Sequence, residues 1–129
     1  LAIEIDVAVI SIWKPNSIRI QLKPDSHIDA EEIRQINNAK NKLAEKKMHA
    51  VVFIPHNSSS ITKEARELAS RKEIFDYAVC KTIVVQTLAH RVIGNFYISV
   101  QKPPVPMKLF SNENDALKWM SQKLTKACN

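Results

Sequence analysis

Glycine is nearly absent from this chain: Gly94 is the single glycine among 129 residues. Loops that cradle phosphate groups need several glycines, so that backbone N–H groups can approach the phosphates. Neither G-x-G-x-x-G nor G-x-x-x-x-G-K-[ST] can therefore exist here, and nucleotide binding through either loop is excluded. The G-x-S-x-G nucleophile elbow of serine hydrolases is excluded for the same reason.

Cysteines and long apolar runs are also scarce. Cys80 lies inside an apolar run, and Cys128 lies near the end of the sequence. Two unclustered cysteines argue for a reducing compartment and against a disulfide framework, so we expect a cytoplasmic protein. No apolar run approaches the roughly 20 residues that a membrane span needs, so no membrane span is expected.

Clustered metal ligands are missing too. The four histidines, His27, His49, His56 and His90, do not pair with another histidine, cysteine or acid at a recognised metal spacing. We interpret them as ordinary surface or loop residues. Cys80 falls within a buried-strand pattern, where thiols are inert. The sequence therefore predicts no metal, no cofactor and no catalytic residue, and we expect a non-enzymatic protein.

Acidic residues are outnumbered by basic ones, 13 to 19, and the formal net charge is +6. The densest basic cluster, Lys40, Lys42, Lys46 and Lys47, lies at the end of a predicted helix, where lysines complement the helix dipole. We interpret it as a solvated helix end rather than a nucleic-acid or membrane patch. Aromatic residues do not interleave with the basic ones, as a base-stacking platform would require, so no nucleic-acid partner is expected.

The first 23 residues predict two strands joined by a turn. Apolar residues alternate with polar or small ones over residues 3–9 and again over residues 18–22. Between them, KPNS supplies turn chemistry, because Pro15 presets φ and Asn16 tolerates the left-handed conformation. A hairpin is therefore expected to open the fold. Later strands are predicted at residues 50–54, 77–86 and 107–110.

Four helices are predicted. The clearest covers residues 28–47, where Asp29 is a good N-cap and Glu32 completes a capping box. The others cover residues 61–71, residues 88–101 and a last segment capped by Ser111 or Asn112.

Residues 88–101 are the ambiguous segment. An apolar residue recurs there at every fourth position, at Leu88, Val92, Phe96 and Val100. The alternation of Phe96, Ile98 and Val100 is also typical of a strand. Because the four-residue spacing runs through the whole segment, we predict a helix.

The predicted order is ββαβαβαβα, in a single domain of residues 1–129. After the initial hairpin, strands and helices alternate. This alternation predicts an α/β fold in which a mostly parallel sheet is covered by helices through right-handed crossovers.

Three short motifs lie in the second half of the chain. They are R-x-x-x-N-F at Arg91, Asn95 and Phe96, P-x-x-x-F at Pro106 and Phe110, and A-x-x-W at Ala116 and Trp119. With ITKEAR (residues 61–66) and the element order, they are similar to uncharacterised bacterial STAS-like proteins. The chain thus resembles the STAS domain of anti-sigma factor antagonists and the related Sec14-like lipid-binding folds. The resemblance implies a STAS-like fold and a regulatory role.

The stretch HNSSSITKEAR places Ser58, Ser59, Ser60 and Thr62 directly before a predicted helix. In the antagonists that the chain resembles, the regulatory serine lies at this point, which implies a loop for phosphorylation or partner binding. Free N–H groups and the dipole at a helix start favour a phosphate. The alternative is that Ser60 or Thr62 only caps the helix, while Ser58 and Ser59 belong to an ordinary polar loop.

Arg91 and Asn95 form a second candidate site. They lie four residues apart on the polar side of the predicted helix, close to Gly94. They can hold an anion or a partner carboxylate, or they can satisfy neighbouring backbone groups.

Two functions are consistent with these features. The leading one is a non-enzymatic regulatory protein-interaction module that uses the serine loop and its helix. The alternative is a carrier or sensor of a small apolar or anionic ligand held beneath helix 88–101. A homo-oligomer is compatible with either. A cavity of roughly 300 Å³ or more beside Phe96 and Trp119 would favour the ligand, and a solid core would favour the interaction module.

Overall fold

The computed structural model describes residues 1–128, and the side chain of Cys128 lies outside that description, as does residue 129. Within this part the chain forms eight strands and four α-helices. The strands are β1 (Ala2–Glu4), β2 (Ala8–Lys14), β3 (Ser17–Leu22), β4 (His27–Ile28), β5 (His49–Ile54), β6 (Ser60–Ile61), β7 (Ala78–Val84) and β8 (Met107–Phe110). The helices are α1 (Ala30–Ala44), α2 (Lys63–Ala69), α3 (Leu88–Phe96) and α4 (Glu113–Cys128), with a 3₁₀ turn at Lys72–Phe75 and a π-helical turn at Tyr97–Gln101.

Six of the strands form one sheet in the order β1-β2-β3-β5-β7-β8. The pairs among β1, β2 and β3 are antiparallel, and those from β3 to β8 are parallel. A separate parallel pair joins β4 to β6. The predicted α/β fold with a mostly parallel sheet is therefore confirmed. Strands β4 and β6 add to the predicted order, because a strand of two residues is too short to show alternation.

The N-terminal hairpin of β2 and β3 turns where the sequence predicts. Asn16 has a φ of 62°, and Lys14 pairs with Ser17. The segment before it differs from the prediction, because it divides into β1 and β2. The N–H of Ile5 donates to the carbonyl of Ala8 at 2.9 Å and closes a bend between the two strands. Three strands therefore open the fold instead of two.

Helix α1 begins as predicted and ends early. The N–H of Ala30 donates to the Asp29 carboxylate at 2.9 Å, and the N–H of Asp29 donates to Glu32 at 2.8 Å, so the capping box is complete. The helix ends at Ala44 because Glu45 adopts the left-handed conformation. The interpretation of Lys40 as part of a solvated helix end is wrong. Its side chain is buried, and its Nζ donates to the carbonyl of Ile74 at 2.9 Å.

The sheet separates two apolar cores. Along β5 and β7 the side chains alternate between its faces, as strand geometry requires. One face, which includes Val51 and Phe53, packs against α1, α2 and the turn after α3. The other face, which includes Ala50, Val52 and Cys80, packs against Ala116 and Met120 of α4. Helices therefore cover both faces of the sheet.

Helix α3 is confirmed. Its apolar stripe, which continues into the π turn, is not the side that packs against the rest of the protein; the stripe is formed by Leu88, Val92, Phe96 and Val100. The stripe faces solvent, with Leu88 78% exposed and Phe96 50% exposed. The inward side carries Gly94 and Tyr97, which are buried.

Candidate functional site: a pocket beneath helix α3

A pocket of about 470 Å³ lies between α3 and the sheet. Its apolar lining comes mainly from Phe53 of β5, Ile83 of β7, Ala69 of α2, and Ile93 and Tyr97 of α3 and its π turn. Pro55 and Val85 also line it, so it lies at the carboxyl ends of β5 and β7. Ligands of open α/β sheets commonly bind outside these strand ends. The volume falls in the range of small-molecule sites, about 300–1,000 Å³.

The pocket is open because two helices cover the sheet incompletely. Helix α2 has only seven residues, from Lys63 to Ala69. Helix α3 packs closely on the edge strand β8, where a Cβ on Gly94 would lie 2.9 Å from Leu109 Cδ2. A larger residue than glycine would push the helix away from β8. The sheet between the two helices is therefore left as the pocket floor.

Arg66 supplies one cation of the lining. Its Nη1 donates to the carbonyl of Ile61 at 2.9 Å, which fixes the guanidinium beside the start of α2. Its Nε is buried and has no hydrogen-bond partner among the residues that the structure describes. A buried donor without a partner is costly, by about 1–3 kcal/mol. An acceptor placed at this group, such as an anion, would remove that cost.

Lys81 supplies the second cation. Its Nζ lies 5.3 Å from the ring centre of Phe53, 5.7 Å from that of Phe75 and 5.6 Å from that of Tyr97. Burial, with a smaller contribution from the nearby ammonium group of Lys40, lowers the pKa of this amine to about 8. Removal from water disfavours the charged form, and a like charge adds to that effect.

The charged side chains of the pocket lining are all basic. They are Arg66 and Lys81, and within residues 1–128 no aspartate or glutamate contributes to the lining. The sequence from Tyr77 to Asn112 contains no acidic residue at all. Because an unpaired cation in an apolar cavity is unfavourable, this lining is complementary to a ligand with a negative group and an apolar body.

Tyr97 closes the inner end of the pocket. Its hydroxyl donates to the carbonyl of Ala69 at 2.7 Å and so ties the turn after α3 to the end of α2. Burial raises the pKa of this phenol well above its ordinary value, so the group stays neutral. Tyr97 therefore connects α2 to the turn after α3 and contributes an apolar ring to the pocket lining.

The predicted serine loop forms part of the pocket rim, through Ser59 and Ser60. Ser59 is buried, and its hydroxyl donates to the carbonyl of His56 at 2.7 Å. Ser58 Oγ accepts from the N–H of Asp25 at 2.8 Å. Ser58 therefore links the loop to the turn after β3, whereas the Ser59 bond lies within the loop itself. Phosphorylation of this loop stays a prediction.

Thr62 caps the helix that follows the loop. Its Oγ1 accepts from the N–H of Ala65 at 3.1 Å and donates to the Asp29 carboxylate at 2.9 Å. The N–H of Ala30 and then the Thr62 hydroxyl lower the pKa of Asp29. One carboxylate thereby joins the starts of α1 and α2. Of the two predicted caps, the structure selects Thr62 over Ser60, whose Oγ lies 2.8 Å from His27 Nδ1.

Arg91 and Asn95 do not join the serine loop. Both are exposed on α3 and do not line the pocket. An anion or partner contact at these residues stays a prediction, separate from the pocket.

The pocket lies beneath α3, where the alternative function places its ligand, but neither Phe96 nor Trp119 lines it. Trp119 lies on the other face of the sheet, with its ring centre 6.0 Å from that of Phe110. Phe96 is half exposed on the outer side of α3. Of the aromatic residues near α3, Tyr97 is the one that lines the pocket.

Arg66 and Lys81 are the site residues that the sequence interpretation misses. Lys81 does leave a signal, since it interrupts an otherwise apolar strand and shares a face with Ile83. A charged residue at such a position indicates a cavity or a polar contact. Arg66 leaves no such signal in the sequence, because an arginine in a short helix is common.

The histidines form no common site. His49 is buried, which corrects its interpretation as a surface or loop residue. His56 Nδ1 lies 2.8 Å from Ser58 Oγ. Across the described part of the chain, no three metal-ligating side chains come together. Nor does any helix in that part have the length and apolar character needed to cross a membrane.

A family model described as "Domain of unknown function (DUF7793)" matches residues 13–124. All residues that line the pocket fall within the matched region. No curated protein and no solved structure matches the chain significantly.

Proposed function

Since the chain belongs to the DUF7793 family, whose function is unknown, we propose a function from the pocket itself: the protein binds a small organic anion with an apolar body beneath α3. The observation that carries this proposal is an apolar cavity with two cations and no acid in its described lining. Arginine binds carboxylates through charge-assisted hydrogen bonds, and the buried Nε of Arg66 is free to donate. The ligand is bound and released unchanged in this proposal.

The experiment compares decanoate with decanol, which has the same chain length and no charge. Calorimetric titration below the micelle concentration should give saturable binding of decanoate, and decanol should bind about tenfold more weakly or worse. Arg66→Met should weaken decanoate binding by a similar factor. Arg71→Met is the matched control, because Arg71 is exposed and does not line the pocket.

A second pair of variants tests the location. Ala89 is an exposed residue at the pocket lining, so Ala89→Trp should obstruct entry. Val92→Trp adds the same bulk on the outer side of α3 and should leave binding unchanged. Equal binding of decanoate and decanol, or unchanged binding in Arg66→Met and Ala89→Trp, would refute the proposal.

A regulatory protein-interaction module is the second candidate. The observation that favours it is the exposed stripe of α3 and its π turn, formed by Leu88, Val92, Phe96 and Val100. Four large apolar side chains in a row on one exposed helix are unusual for a free surface. Because the segment around them lacks acidic residues, the partner would present an apolar groove with an acidic rim.

This candidate is tested with a Val92→Ser, Phe96→Ser double variant. Loss of a specific partner at an unchanged melting temperature would support the stripe as the contact. Elution at twice the monomer mass for wild type, and not for the variant, would instead identify a second copy of the chain as the occupant.

The STAS-like fold is also a proposal. It is supported by the opening hairpin, the parallel strands that follow and the crossover helices between them. A cytoplasmic location accompanies it, on the grounds of cysteine usage in the sequence.

A further inference from the structure

Lys81 is in an environment that favours its neutral amine. Its Nζ is enclosed by the rings of Phe53, Phe75 and Tyr97. Aromatic faces attract an ammonium group, but all three centres lie near the outer limit of about 6 Å for this interaction, so each contributes at the weak end of its range. Removal of the ammonium from water is the larger effect, since burial can move the pKa of a lysine by several units.

A second lysine lies close to the first. Lys40 and Lys81 both line a small space of about 40 Å³ between α1 and the sheet. The other charged or titratable groups on the Lys81 side are Arg66 of α2 and His90 and Tyr97 of α3, and none of them is an acid. Asp76 opposes the effect of burial on the pKa of Lys40, whereas the pKa of Lys81 is lowered by burial and by Lys40. Among the described residues, then, Lys81 has cationic or neutral neighbours.

We propose that Lys81 captures a carbonyl group, forming a reversible imine with an aldehyde or ketone carried by an amphipathic organic acid in the pocket. An apolar enclosure combined with a neighbouring cation is the arrangement that activates lysine as a nucleophile. This inference rests on the pocket as a ligand site and specifies the ligand as an oxo acid, with its carboxylate directed to the cationic lining.

The chemistry needs only the groups named. The lone pair of the neutral Lys81 amine attacks the carbonyl carbon, and the C=O π electrons move to oxygen. Proton transfer from nitrogen to oxygen gives a carbinolamine, which loses its hydroxyl group as water when the C=N bond forms. Amine and carbonyl compound thus give imine and one water, with no oxidant or reductant. Hydrolysis reverses the reaction and releases the ligand.

The experiment uses 10-oxodecanoate as the probe, with sodium cyanoborohydride to reduce the imine to a stable secondary amine. Peptide mapping by mass spectrometry then locates the adduct. We expect modification of Lys81 about tenfold faster than of the exposed Lys63. The Lys81 rate should rise with pH through about 8, where the pKa of the amine lies. Lys40→Met should move this rise to higher pH, because it removes a neighbouring positive charge.

Lys81→Arg separates nucleophilic capture from charge. Arginine keeps the cation but forms no stable imine here, so the selective adduct should disappear. Lys72→Arg, at an exposed position of the 3₁₀ turn, is the control and should leave the adduct unchanged. If Lys81→Arg fails to fold, decanoate should protect Lys81 of the wild-type protein from modification.

The two proposals fail in different ways. Adducts spread over the exposed lysines, with Lys81 no faster than Lys63, would overturn the imine and leave anion binding intact. A selective Lys81 adduct without saturable decanoate binding would overturn anion recognition and support the nucleophilic lysine alone.

Discussion

Replacing Lys40 with methionine should stabilise the protein at about pH 7 and weaken the pH dependence of its stability. In the folded protein, burial lowers the pKa of Lys40 from 10.5 to about 8, with Asp76 opposing this effect. Between these values the unfolded chain holds a proton that the folded chain has lost, so stability rises with pH across the window. Below about pH 8 the folded state carries the full cost of the buried charge, about 3 kcal/mol.

The variant removes that cost and also removes one hydrogen bond. The Nζ of Lys40 donates to the carbonyl of Ile74, and losing this donor costs about 1–2 kcal/mol. The net effect of Lys40→Met at neutral pH is therefore a gain of about 1–2 kcal/mol. Across the window above pH 8 the advantage should shrink and then reverse, because the wild-type lysine is by then neutral in the folded state.

Urea unfolding followed by circular dichroism, at intervals from about pH 6.5 to 9.5, measures the effect. Two other groups also change the stability with pH. The lowered pKa of Lys81 makes stability rise with pH, as that of Lys40 does. Burial raises the pKa of Cys80 from its ordinary value of 9.0 to about 11, so Cys80 makes stability fall as the pH rises above 9.0. Subtracting the variant curve from that of wild type gives the contribution of Lys40, together with the smaller change that its loss causes in the titration of Lys81. Lys42→Met is the control, since Lys42 is exposed on the same helix. Parallel curves for wild type and Lys40→Met would refute the reasoning.

Four further variants test contacts around the pocket by urea unfolding at constant pH. Ser59→Ala should lower the free energy of unfolding by about 1 kcal/mol, because a buried hydrogen bond is lost. Thr62→Ala should lower it by about 1 kcal/mol, because the helix loses its N-cap. Wild-type stability in either variant would contradict the corresponding hydrogen bond. Tyr97→Phe should cost about 1–2 kcal/mol, because a buried carbonyl on α2 loses its donor, and an unchanged unfolding midpoint would count against it. Gly94→Val should cost about 1–3 kcal/mol by crowding Leu109. Adding Leu109→Ala should recover part of that loss, whereas strictly additive losses would exclude the close approach.

Local signals predicted most of the elements of this fold. The capping box at Asp29 and Glu32 marks the start of α1 because its hydrogen bonds join residues three apart. The turn at Asn16 is readable because few residues other than glycine adopt its positive φ easily. The end of α1 is not readable, since nothing in the sequence around Glu45 requires the left-handed conformation found there.

The pocket could not be predicted in the same way. Arg66 lies on α2 and Lys81 on β7, and only the packing of helices on the sheet brings both to one cavity. The sequence offered Phe96 and Trp119 as the neighbours of a possible cavity, but Phe96 lies on the outside of α3 and Trp119 on the opposite face of the sheet. Spacing along one element says nothing about which distant element covers it.

Helix α3 shows most clearly which features the sequence determined and which the tertiary structure decided. The recurrence of apolar residues at every fourth position determined that residues 88–96 are helical and which side chains share a face. Which face packs was decided by the tertiary structure. Gly94 allows the backbone of α3 to approach Leu109 of β8, so the small side of the helix turns inward and the larger apolar side chains remain exposed. Periodicity orders residues around a helix axis, but the rotation of that axis against a sheet depends on the shape of the surface it meets.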